Sequence, residues 1–226
     1  DLISQSVSLT EKTIAKLGDR HTGIGFDQLL TVSPPRSPEM DFRYRIFNAD
    51  GTEAEQCGNG ARCFLRFVRD RGLTTKNSIK VETNKGSIEC KLHKDGNISV
   101  DMGSPVLQPD KIPFITDTCA VTYTLELASC LSTHSETISV AAVNMGNPHA
   151  VTIVDNIDRA PVNQVGALVE SHPQFPEKVN VGFMQIVSRD RINLRVYERV
   201  VGETNACGSG ACAAVVAGRM QGLLDE

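Results

Sequence analysis

Hydrophobic and polar positions alternate along much of this chain, and where the alternation lapses the residues carry helix or turn signals. Alternating or apolar runs predict strands near Phe26–Val32, Tyr44–Phe47, Ile79–Thr83, Ile88–Leu92 and Ile98–Met102. Ser8-Leu9-Thr10-Glu11 has the form of a capping box and predicts a helix to about Asp19, stopped by Gly23 and Gly25. A second helix is expected from Gly58 to about Arg71, ending at Gly72. Pro105, Pro109 and Pro113 punctuate a stretch with little pattern, which reads as a junction between a domain of residues 1–104 and one of residues 105–226. The second half predicts strands near Val121–Leu127, Thr137–Val143, Ala150–Val154, Gly182–Val187 and Ile192–Glu198. Helices are expected over Val162–Glu170 and from Gly208 to about Gln221.

The two halves also share motifs. Cys57-Gly58-Asn59-Gly60-Ala61 and Cys207-Gly208-Ser209-Gly210-Ala211 both read C-G-x-G-A, offset by 150 residues. Nine positions before each cysteine a polar residue stands at the end of a strand, Asn48 in one half and Glu198 in the other. Gly25-Phe26-Asp27-Gln28 and Gly182-Phe183-Met184-Gln185 match as G-F-x-Q, offset by 157. Two kinds of motif in the same order at nearly one offset indicate a duplicated domain, with halves related by a pseudo-twofold axis.

Composition narrows the function. The 226 residues are 40% hydrophobic and 22% charged, ordinary globular usage. A chain of this length buries roughly 70–75% of its unfolded surface. No apolar run approaches the roughly 20 residues that cross a bilayer, and no basic segment precedes an apolar one as in a signal peptide. A net charge of −4 gives no general attraction to nucleic acid or to an anionic membrane. With no tryptophan and 5% aromatics, base-stacking platforms are not expected either. The chain therefore reads as soluble and cytosolic. Seven cysteines, an odd number, suit free thiols in a reducing compartment. The close pairs Cys57/Cys63 and Cys207/Cys212 turn through about 240° and 140° on a helix, so neither pair shares a face. Neither has the C-x-x-C spacing, and no metal site is expected.

The C-G-x-G-A motif has chemistry of its own. Its glycines allow a tight turn with positive φ and a close backbone approach, and the residues after them form helix. Each cysteine then sits at a helix N-terminus, where free N–H groups and the positive dipole end favour a thiolate. That interaction is worth about 0.3–1 kcal/mol, up to ~2 when partly buried, which lowers a thiol pKa by roughly one unit. The same N–H groups can hold a carboxylate. If the pseudo-twofold sets the two cysteines across one cleft, one can remove a proton from a carbon while the other delivers one to the opposite face. Such an inversion needs no cofactor, provided that oriented N–H groups stabilise the charge developing on the carboxylate.

The residues resemble the diaminopimelate epimerase family. The resemblance is carried by Tyr44-Arg45-Ile46-Phe47-Asn48-Ala49-Asp50-Gly51, Gln56-Cys57-Gly58-Asn59-Gly60-Ala61-Arg62, Met145-Gly146-Asn147-Pro148-His149, Tyr197-Glu198-Arg199, Gly202-Glu203-Thr204 and Ala206-Cys207-Gly208-Ser209-Gly210. It implies an α/β (α+β) fold of two pseudo-symmetric domains, each a mostly antiparallel sheet curled around a central helix. It also implies inversion of LL-2,6-diaminopimelate to the meso form by a thiol/thiolate pair, Cys207 as acceptor and Cys57 as donor. Gly58, Asn59, Gly208 and Ser209 would hold the reacting carboxylate. Gln28, Asn48, Asn147, Asn180, Glu198 and Arg199 would bind the amino groups and the distal carboxylate, and His149 and Glu198 would tune the thiols. Cys63 and Cys212 are expected to be buried packing. The implied setting is lysine and peptidoglycan-precursor synthesis, with a homodimer, a small amino-acid substrate and no cofactor.

The family's opening strand and its closing strands, with a dimer-contact tyrosine, lie outside this sequence, which predicts lower turnover for these 226 residues than for a completed chain. Val200-Val201 stand where the family has small residues, and β-branched side chains resist positive φ, so an altered loop is expected there. A proline or hydroxyproline racemase-type enzyme uses a similar cysteine pair, but Arg199 suits a distal charged head better than an apolar ring. A non-catalytic relic is a further alternative. Gly208-x-Gly210-x-x-Ala213 also fits a dinucleotide-binding fingerprint, without the acidic ribose ligand about 20 residues onward.

Overall fold

The alternating segments of the first half pair into one sheet, and those of the second half into another. The computed structural model describes residues 1–54, 58–84, 86–127 and 136–225, which divide into two units, Asp1–Gly103 and Ser104–Glu226. No described helix is long and apolar enough to cross a membrane.

Unit 1 opens with α1 (Glu11–Gly18). The capping box expected at Ser8 is displaced by two residues. Thr10 is the extended N-cap, and its hydroxyl accepts from the Thr13 N–H at 3.1 Å, so Glu11 is the first helical residue and not a reciprocal cap. Strands β1 (Gln28–Ser33), β2 (Phe42–Asn48), β3 (Glu53–Ala54), β4 (Ser78–Thr83), β5 (Gly86–Leu92) and β6 (Ile98–Asp101) form a sheet ordered β1-β2-β4-β5-β6, with β3 also on β2. Among the described residues of this unit only β2 and β4 run parallel, and α2 (Gly58–Asp70) lies in the crossover that joins them. Its apolar stripe, Ala61, Phe64, Leu65 and Val68, has the i, i+3, i+4, i+7 spacing of a core-facing helix. It packs with Val32, Phe42, Tyr44, Ile46, Ile79, Val81 and Ile88. Gly72 ends the helix at φ +67°, a backbone glycine adopts without strain.

In unit 2, β7 (Tyr123–Leu127), β8 (Glu136–Asn144), β9 (Pro148–Ile153), β10 (Asn180–Ser188), β11 (Arg191–Glu198) and β12 (Gly202–Thr204) are ordered β12-β11-β10-β9-β8-β7. Again one pair is parallel, β9 with β10, and α3 (Val162–Glu170) lies in its crossover. The helix α4 (Gly208–Met220) packs on β8, β9, β10 and β11. Both faces of the central strands are covered. Val140, Ala142, Ala150, Val181 and Phe183 join the cluster that includes Val162 and Val169 of α3. Ala141, Val143, Val151 and Met184, equally buried, alternate onto the other face. The linking stretch after Ser104 holds more order than its prolines suggest: a 3-10 turn at Pro109–Lys111 and a bridge from Val106 to Asn144.

The duplication is visible in the register. On β2, Ile46 pairs with Ala54 and Phe47 with Glu53; on β11, Val196 pairs with Thr204 and Tyr197 with Glu203. The 150-residue offset thus carries through both hairpins. It also carries a side-chain clamp that the sequence motifs did not single out. Arg45 forks onto Glu53 at 2.7 and 2.9 Å, and Arg195 onto Glu203 at 2.6 and 3.0 Å. Each bidentate pair ties a long strand, β2 or β11, to the short return strand that precedes a C-G-x-G-A segment in the sequence.

One glycine holds unit 2 together by its size. A Cβ on Gly166 of α3 would meet the Tyr197 ring at 2.6–2.8 Å, far inside contact distance. Gly166→Ala is therefore expected to lower stability by about 1–3 kcal/mol, despite alanine's better helix propensity. A urea titration measures it, and a midpoint at or above that of the unsubstituted chain would contradict this packing.

Candidate active site

The site of unit 2 is built where α4 begins over the ends of β9, β10 and β11. Cys207 is the N-cap of α4, extended at φ −128°, ψ 107°, and its Sγ accepts from the Gly210 N–H at 3.4 Å. The Ser209 hydroxyl lies 3.6 Å from the same sulfur. The glycines of the motif serve differently from the expected positive-φ turn, since Gly208 and Gly210 are both helical and neither has positive φ. Gly210 instead allows a close approach: a Cβ there would lie 3.1 Å from Val196 Cγ2 and 3.2 Å from Cys207 Sγ, tighter than ordinary contact.

Three of the expected residues line up behind this cap. His149 and Asn180 are register partners on the parallel pair β9 and β10. The His149 ring is fully buried, and its Nε2 lies 3.0 Å from both Asn147 Oδ1 and Ser209 Oγ. Among the described residues nothing pairs with its buried Nδ1, so we assign the proton to Nε2, where it has acceptors. Burial, and then the Arg199 charge, push the ring's pKa down to about 3, so it is neutral at physiological pH. Asn180 uses both ends of its amide on the backbone. It donates to the Pro148 carbonyl at 2.9 Å and accepts the Arg199 N–H at 3.0 Å. Asn180 thereby spaces two backbone segments.

Glu198 ends β11 and accepts a short hydrogen bond from the Thr204 hydroxyl. Its carboxylate bears on the sulfur. Burial first, and then the Glu198 charge, push the Cys207 thiol up to about 11, against the lowering hydrogen bonds from Ser209 and Gly210. A helix terminus by itself favours a thiolate, but desolvation and a nearby carboxylate outweigh it here. Arg199 follows in a turn whose next residue, Val200, stands at φ +69°. The β-branched residue does take the left-handed backbone, at a cost of roughly 1–2 kcal/mol.

Unit 1 repeats part of this arrangement. Gln28 and Asn48 are register partners on β1 and β2, and Asn48 donates to the Thr52 hydroxyl at 3.1 Å. Gly58 opens α2, and Asn59, its second residue, accepts from the Arg62 guanidinium. Cys57 lies outside the described residues, as does Cys130. Cys63 is exposed and Cys212 half-buried, so the expected buried packing does not hold. Both sit on helix positions that turn away from the apolar stripe. Among the described residues, no cluster of three His, Cys, Asp or Glu could hold a metal ion.

A model of the diaminopimelate epimerase family matches residues 2–108 and 141–226. This chain belongs to the diaminopimelate epimerase family. A diaminopimelate epimerase of Pseudomonas syringae pv. tomato is 56% identical over 226 residues, 100% of this chain and 80% of the relative. One of Ectopseudomonas mendocina is 54% identical over the same shares. Among solved structures, a hydroxyproline epimerase from Agrobacterium vitis with bound trans-4-hydroxy-L-proline has a TM-score of 0.64. It is 15% identical over 94% of this chain and 66% of its own. A Bacillus anthracis phenazine biosynthesis protein has a TM-score of 0.60 at 17% identity, covering 93% of this chain and 70% of its own. At such identities the likeness is one of fold, and it places this epimerase-family chain among mixed α/β proteins, as the resemblance implied.

In this family member the buried proton of Cys207 should control its reactivity. Alkylation of Cys207 by iodoacetamide, followed by peptide mass spectrometry, is expected to be slow at pH 7 and to rise about tenfold per pH unit toward 10. A rate that levels off by pH 8 would contradict the raised thiol.

Proposed function

We propose that this chain inverts the α carbon of LL-2,6-diaminopimelate to give the meso isomer by proton transfer between two cysteines, Cys207 accepting and Cys57 donating, with the roles reversed in the other direction. The observation that carries the reading is Cys207 at the N-cap of α4, a half-buried sulfur with peptide and hydroxyl donors, in a chain of this family.

The chemistry follows from the residues. The N–H groups of Gly208 and Ser209 at the start of α4, and those of Gly58 and Asn59 at the start of α2, suit the reacting carboxylate and the charge that grows on it. A sulfur that holds its proton up to about 11 is a poor thiolate at rest but a strong base once deprotonated. Substrate ammonium beside Glu198 would offset the carboxylate that raises Cys207 and ease the loss of its proton. His149 stays neutral and orders the Ser209 hydroxyl against the sulfur. Arg199 suits the distal carboxylate and Glu198, Asn48, Gln28 and Asn147 the amino groups, by donor and acceptor type. Asn180 acts here through the backbone of Arg199. The mechanism requires Cys57 and Cys207 to reach opposite faces of one carbon, each supplied by one of two halves, residues 1–104 and 105–226. Function in lysine and peptidoglycan-precursor synthesis, in the cytoplasm and as a homodimer, belongs to the same proposal.

Cys57→Ser and Cys207→Ser should each lower kcat for LL-to-meso conversion by at least about 10²-fold with little change in KM, because serine holds its proton too tightly to exchange with carbon. Chiral chromatography of the product reads the rate. An unchanged rate in either variant would remove the two-thiol mechanism.

A further inference from the structure

Glu170, the last residue of α3, puts a carboxylate under the turn that carries Arg199. Its side chain is 8% exposed, and one oxygen, Oε1, accepts the Val200 N–H at 2.6 Å and lies 3.6 Å from Lys178 Nζ. Both of those partners stand in the left-handed backbone region, Val200 at φ +69° and Lys178 at φ +60°. Neither is a glycine, so each needs an outside reason to stay there. Arg199 is fixed between them. Its N–H donates to Asn180 Oδ1 at 3.0 Å, and its Nη1 donates to the Glu177 carbonyl at 3.1 Å, one residue before Lys178. The Val201 N–H closes the turn on the Glu198 carbonyl at 3.1 Å. A single buried oxygen thus joins the two segments that determine where Arg199 can point.

We propose that Glu170 is a positioning residue for substrate recognition: by holding Val200 in its left-handed conformation and tethering Lys178, it sets the direction in which Arg199 leaves β11, and with it the affinity for a substrate ending in a second carboxylate. The proposal rests on the reading of Arg199 as the group that meets that carboxylate. Val200 and Val201 are both exposed and pack against little, so the turn has few other restraints. A hydrogen bond to a charged acceptor is stronger than one to a neutral amide, and loss of the charge also frees Lys178. The turn then relaxes toward conformations that a β-branched residue prefers, and Arg199 is displaced.

Steady-state kinetics with LL-diaminopimelate test this. Glu170→Gln keeps the size and an acceptor oxygen but removes the charge, and it should raise KM about fivefold to tenfold with kcat within about twofold. Adding Val200→Gly, which takes φ +69° without strain, should bring KM most of the way back. A residue that only stabilised the fold would lower the melting temperature without this split and without this rescue. Arg199→Lys, which loses the planar fork, should raise KM about tenfold. If Arg199→Lys raises KM and Glu170→Gln does not, or if the double variant shows no recovery, the positioning role is overturned while the reading of Arg199 stands. If Arg199→Lys leaves KM unchanged, both fail.

Discussion

The proton on Cys207 is set by a contest between the start of α4, which brings hydrogen-bond donors to the sulfur, and the partial burial and carboxylate that oppose them. The helix supplies the Gly210 N–H and the Ser209 hydroxyl as donors, and its packing on the sheet leaves the sulfur half-buried. Against those donors stand desolvation and Glu198, which win in the resting chain. That balance accounts for the small residues around the sulfur. Any side chain at Gly210 would crowd Cys207 Sγ and Val196, which would have to give by a few tenths of an ångström. His149, neutral and buried, extends the same logic one layer back, since a charged ring there would need a partner that the described residues do not offer.

The same local construction occurs twice with a difference in charge. Both halves carry a strand, a tight turn, a short return strand clamped by an Arg–Glu fork, and a helix opening on glycine. The residue nine positions before the cysteine is neutral Asn48 in one half and acidic Glu198 in the other. The two C-G-x-G-A segments therefore follow strand ends of unequal charge, and in unit 2 that charge helps to raise the Cys207 thiol.

Much of this was legible in the residues because the signals were local. The helix over Val162–Glu170 agrees in both bounds, and ten strands were placed to within a few residues. Each has either a clean period of two or an apolar run bounded by turn residues. The strands β3 and β12 were missed, because two or three residues carry no period, although Glu53 and Glu203 at one offset from Arg45 and Arg195 were available as a signal. The site was legible by type more than by role. For Asn180 the resemblance implies a substrate ligand, and the structure adds bonds to the Pro148 carbonyl and the Arg199 N–H, a fact of tertiary hydrogen bonding that no spacing encodes. The same holds for the Cys207 thiol: a helix N-terminus can be seen in sequence, but the depth of burial that reverses its effect cannot.

The central claim, that two thiols act from opposite faces of one carbon, is tested most directly by isotope placement in deuterium oxide. LL-diaminopimelate is converted to a few per cent, and substrate and product are separated and analysed by mass spectrometry. The account predicts deuterium at the inverted carbon of the product and protium retained in the recovered substrate, because the proton removed and the proton delivered belong to different sulfurs. Equal labelling of both pools at early conversion would show one group acting on both faces, and would contradict it.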